Sequence, residues 1–124
     1  MCRVLFIEDD AETRILVRKG LGALGIEVDA VWGGEKGIEA AATGRFDCVL
    51  LDIMMPDMDG FEVCARLKAG EATAHLPVII LTARVDRDTR IRIAELGADA
   101  FVPKPFQLDN LAEIIRDHVH GLRE

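Results

Sequence analysis

The chain has 124 residues, enough for one ordinary domain with a single core. It carries 15 Lys and Arg against 22 Asp and Glu, a formal net charge of −7. That balance argues against a nucleic-acid surface, which needs clustered basic side chains. No apolar stretch approaches the roughly 20 residues of a membrane span. The start, Met1-Cys2-Arg3-Val4, leaves no room for a signal peptide before the first apolar run, so a cytoplasmic location is expected. Cys2, Cys48 and Cys64 are odd in number, widely spaced and form no CxxC pair, which predicts reduced thiols with Cys48 in the core.

In chain order, Val4–Ile7 reads as a first strand. Ala11–Leu24 follows as a helix with Ile15, Leu16, Leu21 and Leu24 facing the core and Gly25 as its stop. Ile26–Val31 is a second strand, placed at an edge because Glu27 and Asp29 alternate with apolar residues. Gly34–Thr43 is a helix ending at Gly44, and Asp47–Leu51 a buried third strand. Gly60–Lys68 is a helix with Phe61, Cys64 and Leu67 on one face. Before it, Pro56-Asp57-Met58-Asp59-Gly60 has turn chemistry, and Asp57 and Asp59 are read as turn formers. Pro77–Leu81 is a β-branched fourth strand. Arg87–Leu96 is a helix capped by Asp86 or Asp88 and stopped by Gly97. Asp99–Val102 is a short fifth strand, and Gln107–His120 a last helix with Leu108, Leu111, Ile114, Ile115 and Val119 inward. Arg84, Arg87, Arg90 and Arg92 are read as a solvated basic face with acidic partners. His118 and His120 are spaced onto different sides of the helix and are read as surface residues.

Strands that alternate with helices five times predict an α/β fold: a five-stranded parallel sheet covered on both faces, with right-handed crossovers. One domain over residues 1–124 is expected, since no repeat or interdomain linker is visible.

In such a sheet, ligands bind at the C-terminal edge of the strands. The first strand runs into Glu8-Asp9-Asp10, the third into Asp52, the fourth into Thr82 and the fifth into Lys104. Alone, each has an ordinary role: a helix cap, a strand former, a surface charge. Together they place several carboxylates, a hydroxyl and an ammonium on one edge. Crowded acids repel and raise one another's pKa. A hard cation relieves this, and Mg²⁺ takes one or two carboxylates together with water and phosphate oxygens. A pocket for Mg²⁺ and a phosphoryl group is therefore expected, with Asp52 as nucleophile, metal ligand or both.

On these residues the chain resembles the receiver domains of two-component response regulators. The matching motifs are Val4-Leu5-Phe6-Ile7-Glu8-Asp9-Asp10 with Arg14 downstream, Leu50-Leu51-Asp52-Ile53-Met54-Met55-Pro56-Asp57-Met58-Asp59-Gly60, Leu81-Thr82-Ala83, Gly97-Ala98-Asp99 and Lys104-Pro105-Phe106. The resemblance covers nearly the whole chain. It implies a flavodoxin-like, doubly wound (βα)5 fold with strand order 2-1-3-4-5. It implies Asp52 as phosphoacceptor, attacking a phosphohistidine of a sensor histidine kinase or a histidine phosphotransfer protein. Asp9 would be the main Mg²⁺ ligand, with Asp52, Glu8 acting through water, and the backbone carbonyl of Met54; Mn²⁺ would substitute. Lys104 and Thr82 would contact the phosphoryl oxygens, joined by the N–H of Ala83, and Asp10 would cap the first helix. The Lys104–Pro105 bond would be cis. Thr82 and Phe101 would form the switch that alters the surface of the fourth helix, fifth strand and fifth helix for a downstream protein. The domain would act as a signalling phosphoacceptor that catalyses only its own phosphotransfer and slow dephosphorylation, touching neither nucleic acid nor membrane.

Two departures stand out. Ala100 occupies the place of a second Asp found in many winged-helix DNA-binding regulators, and Phe101 that of their usual Tyr, so a charge-paired dimer on that face is not expected. Met54, two residues past the acceptor, cannot hold an attacking water, and slow self-dephosphorylation is expected. A receiver cut from a larger regulator is an alternative, since these motifs do not choose an output. A haloacid-dehalogenase-type phosphatase needs Asp-x-Asp after the strand, where this chain has Asp52-Ile53-Met54. A flavodoxin-like cofactor binder needs a Ser/Thr/Gly-rich first loop, and here that loop is acidic.

Overall fold

The computed structural model describes residues 2–56 and 58–119. Asp57 and His120, both given roles above, lie outside the described residues. Five strands alternate with five helices: β1 Arg3–Ile7, α1 Ala11–Ala23, β2 Glu27–Val31, α2 Gly34–Ala41, β3 Cys48–Asp52, α3 Gly60–Ala69, β4 Val78–Thr82, α4 Arg87–Glu95, β5 Ala100–Pro103 and α5 Leu108–His118. The sheet order is β2-β1-β3-β4-β5, and every pair is parallel. This is the expected order, with β2 at an edge.

Strand alternation sorts the core into two layers. Val4, Phe6, Cys48, Leu50, Ile79 and Leu81 face the layer of α1 and α5, where Val17, Leu21, Leu111 and Ile115 complete one cluster. Leu5, Ile7, Val49, Leu51, Val78 and Ile80 face the other layer, packing on Phe61, Val63, Leu67 and Ile93 of α3 and α4. The three central strands are therefore apolar on both sides, which is why they read as continuous runs. All three cysteines are free thiols within these clusters.

Two of the predicted core residues of α1 are corrected. Ile15 and Leu16 are 56% and 60% exposed, while Val17 and Leu21 are buried and Leu24 packs against the same cluster. Residues 17, 21 and 24 make one stripe along the helix. Leu16 and Ile15 lie about 100° and 200° around from Val17.

Helix ends follow local chemistry. Asp10, Asp59 and Asp86 are the N-caps of α1, α3 and α4, accepting from Thr13 N at 3.0 Å, Phe61 N at 2.9 Å and Thr89 N at 3.1 Å. Asp59 is thus more than a turn former. Helix α2 stops at Ala41, short of Thr43, where Thr43 Oγ1 donates back to Ala40 O at 2.7 Å. On the basic face, Arg84 lies 3.7 Å from Asp86 and Arg92 3.6 Å from Asp59, with the Arg92 guanidinium stacked over Phe61. His118 is half-buried and its Nδ1 lies 2.8 Å from Ile114 O.

Candidate functional site at the C-terminal edge of the sheet

Asp52 is the last residue of β3, registered opposite Leu81, rather than the residue after the strand. Strand pairing therefore fixes its backbone while its carboxylate sits at the edge, only 4% exposed. Glu8 follows β1, held by its N–H to Val31 O at 3.0 Å, and is 2% exposed. Lys104 follows β5, where its N–H donates to Thr82 O at 2.8 Å. From there the ammonium reaches over the edge and donates to Asp52 Oδ2 at 3.0 Å and to Glu8 Oε1 at 3.2 Å. The Lys104–Pro105 bond is cis. The other Asp52 oxygen, Oδ1, accepts from Met54 N at 3.0 Å.

The remaining residues lie around this triad. Asp9, half-buried, accepts on Oδ1 from Gly33 N at 2.8 Å. Thr82 is fully buried, and its hydroxyl accepts from Arg84 N at 2.9 Å. Ala83 and Met54 are exposed. Phe101 is half-buried against the α3–α4 layer, and strand alternation puts Thr82 on that same face, diagonal to Phe101 across the β4–β5 pair.

Charge is unbalanced in this pocket. Burial, then the hydrogen bond and negative charge of Asp52, push Glu8 up to about 7, with Lys104 opposing. Burial alone would lower the Lys104 pKa, but the bond to Asp52 and the two carboxylate charges outweigh it and the net shift is upward. Two buried acids thus share one ammonium. A cation would relieve the excess, and the oxygen-rich donor set fits Mg²⁺. Mg²⁺ takes one or two carboxylates and completes its shell with carbonyl and water oxygens; among the described residues no three His, Cys, Asp or Glu side chains form a ready cage.

Some participants gave no clear signal in the sequence. Gly33, with φ of 94°, presents its N–H to Asp9 from the turn after β2. A Gly-Gly pair predicts a turn but not this contact. Asp10 N donates to Glu8 Oε2 at 3.3 Å, and Arg14 Nη1 donates to both Glu8 O and Asp9 O, at 2.8 and 2.9 Å.

A doubly wound sheet with an acid pair, an ammonium and a hydroxyl on its C-terminal edge is the architecture of a phosphoryl-handling signalling domain. Residues 4–116 match the family model described as response regulator receiver domain, and the chain belongs to that family. It is 40% identical over 114 residues to the transcriptional activator protein IrlR of Burkholderia pseudomallei, covering 92% of this chain and 48% of that protein. It is 37% identical over 114 residues to the response regulator MprA of Mycolicibacterium vanbaalenii, again covering 92% and 48%. The chain thus spans about half the length of the curated relatives it matches. Among solved structures, the chemotaxis protein CheY4 of Vibrio cholerae aligns with a TM-score of 0.89 at 26% identity, over 96% of this chain and 99% of that one. The receiver domain of the sensor histidine kinase PA1611 of Pseudomonas aeruginosa aligns with a TM-score of 0.85 at 27% identity, over 94% and 95%. That structure has a magnesium ion coordinated in its active-site cleft.

Proposed function

We propose that Asp52 accepts a phosphoryl group from a phosphohistidine of a sensor kinase or phosphotransfer protein. The observation that carries this reading is the Lys104 ammonium, placed by β5 beside the Asp52 carboxylate. In the transfer an Asp52 oxygen forms a bond to phosphorus as the P–N bond breaks. The electron pair leaves with the imidazole nitrogen, and the proton already on the other ring nitrogen lets the imidazole depart neutral. Lys104 turns from the carboxylate to a phosphoryl oxygen, and Thr82 Oγ1 and Ala83 N donate to others. Mg²⁺ held by Asp9, Asp52 and the Met54 carbonyl, with Glu8 acting through water, would neutralise phosphoryl charge when bound. The domain then acts as a phosphoacceptor that catalyses its own transfer and slow hydrolysis.

The donor has a fitting approach. Ile15 and Leu16 are exposed on α1, and Leu16 shares a groove with Pro105, Phe106 and Leu108, next to Lys104. Output is read from the shared face of Thr82 and Phe101. When Thr82 moves to the phosphoryl group, Phe101 turns inward and the α4–β5–α5 surface changes, a shift between two existing states. The relatives' transcriptional names bring one candidate output, control of transcription. Among the described residues no helix is long and apolar enough to cross a membrane.

The test is mass spectrometry after incubation with a small phosphoramidate and Mg²⁺. Wild type gains one phosphoryl group and Asp52→Ala gains none. Labelling of Asp52→Ala would remove Asp52 from this role.

A further inference from the structure

We propose that Arg14 is a positioning residue that sets the cation affinity of the acidic pair. The proposal rests on the reading of Glu8 and Asp9 as the cation-holding acids. Arg14 belongs to the first turns of α1, where its own N–H donates to Asp10 O at 3.0 Å. Its side chain reaches back past that turn, and one nitrogen, Nη1, donates to two successive carbonyl oxygens, Glu8 O at 2.8 Å and Asp9 O at 2.9 Å. Two consecutive carbonyls aimed at one donor fix the peptide planes between Glu8 and Asp10. The direction in which the Glu8 and Asp9 side chains leave the backbone is thereby fixed as well.

Glu8 N also donates to Val31 O, which ties the backbone of the segment to β2, and other groups act on its side chains. Asp10 N donates to Glu8 Oε2, Lys104 Nζ to Glu8 Oε1, and Gly33 N to Asp9 Oδ1. Arg14 is the side chain that grips the backbone of both acids. Its bonds are charge-assisted and half-buried, the strong class of hydrogen bond. Its bonds run to the main chain of the acids, so it acts through them.

Charge and geometry predict opposite outcomes here. A guanidinium near a cation site weakens cation binding by repulsion, so its removal should tighten binding if charge were its only effect. If Arg14 instead holds the acids in place, its loss loosens them and binding weakens.

The experiment is calorimetric titration of the full chain with Mg²⁺, with emission of Trp32 as a second readout. Trp32 is the one tryptophan of the chain and neighbours Gly33, which touches Asp9. Arg14→Met is expected to raise the Mg²⁺ Kd about tenfold, the value of one or two lost hydrogen bonds. Arg14→Lys keeps the charge on a shorter stem with a single nitrogen, and is expected to bind more weakly than wild type by a smaller factor. Thermal unfolding in chelator identifies variants that fold, and Arg14→Lys decides the matter if Arg14→Met does not. An unchanged or lowered Kd in the folded variants overturns the positioning role. Asp9→Ala is the control for the underlying reading. If it binds Mg²⁺ like wild type, the acidic pair is not the cation site, and the proposal for Arg14 falls with it. If Asp9→Ala loses binding while the Arg14 variants keep it, only the role of Arg14 is lost.

Discussion

The Lys104 ammonium lies 3.0 Å from Asp52 Oδ2 across a sequence separation of 52 residues, and the same nitrogen reaches Glu8 at 3.2 Å. β1, β3 and β5 each supply one member of this triad at the same edge of the sheet. Lys104→Met leaves two buried carboxylates without their cation. Phosphotransfer to Asp52 is expected to fall about 100-fold, the scale of losing one aimed donor to a developing charge. Lys104→Arg keeps the charge but spreads it over a planar fork, so an intermediate rate is expected. Rates of phosphorylation at saturating Mg²⁺ check both. A Lys104→Met rate equal to wild type would separate this ammonium from the chemistry.

Thr82 and Phe101 occupy the same face of adjacent strands, and the Thr82 hydroxyl is engaged with Arg84 N at 2.9 Å. On the proposed function, a phosphoryl group on Asp52 would compete for that hydroxyl. In Thr82→Ala the competition is gone, so phosphorylation should proceed while the α4–β5 surface responds little. NMR shifts of Phe101 and of residues 83–86, compared with and without a beryllofluoride mimic, measure this. Full-size shifts in Thr82→Ala, or none in wild type, would break the proposed coupling.

Much of this arrangement is legible in the sequence, for a local reason. Buried parallel strands are short apolar runs, and the polar residue that ends each run marks the edge where a site forms. Glu8, Asp52, Thr82 and Lys104 are found this way. The face of α1 is only half found: Leu21 and Leu24 face the core as read, but Ile15 and Leu16 do not, because Ile15, Leu16, Val17, Leu21 and Leu24 satisfy more than one helical stripe. Contact with the cluster around Leu111 and Ile115 decides for Val17 and Leu21. The bond of Gly33 N to the Asp9 side chain is tertiary, and those of Arg14 run to main-chain carbonyls five and six residues back. Periodicity carries no trace of them. Arg14 is visible only as part of a motif, without its task.

Asp99 provides a pH test remote from the site. Its carboxylate accepts from Lys68 Nζ at 2.8 Å and from Val78 N at 2.8 Å, tying the end of α3 to the start of β4 and β5. Burial alone would raise its pKa. The Lys68 and Val78 bonds outweigh this, and the net shift is below the ordinary value of 3.8. The folded state therefore binds fewer protons than the unfolded state just below that value. The stabilisation is complete above about pH 4 and is lost as pH falls through the folded pKa. Asp99→Asn should cost about 1–2 kcal/mol at neutral pH, kept modest by surface screening. Its unfolding midpoint should converge with wild type once pH falls below the folded pKa, which lies under 3.8. Parallel urea titrations from acid to neutral pH would show this, and a constant gap across that range would rule out the linkage.

Gly60 opens α3 where the loop from Asp52 returns to the sheet. A Cβ there would strike the backbone of Ile53, and Gly60 N donates to Ile53 O at 3.3 Å. The collision is with main chain, which cannot swing aside as a side chain can. Gly60→Ala is expected to destabilise by about 1–3 kcal/mol, as overpacking does. Because Ile53 adjoins Asp52, it should also slow phosphorylation. A stability within error of wild type in denaturant unfolding would show that the loop can shift at no cost.

Met54 lies on that loop, two residues past Asp52, with its N–H on Asp52 Oδ1 and its side chain exposed. Hydrolysis of the phosphorylated domain requires a water aligned with the phosphorus, opposite Asp52. A thioether offers that water no useful hydrogen bond, so residue 54 does not help to align it. Met54→Asn places an amide there that can both donate and accept. One hydrogen bond made to the attacking water should speed dephosphorylation about threefold to tenfold. The backbone contact to Asp52 is kept, so the phosphorylation rate should change little. Decay of the phosphorylated protein after removal of donor separates these effects. An equal lifetime in the two proteins would mean that something other than residue 54 governs access of water to phosphorus.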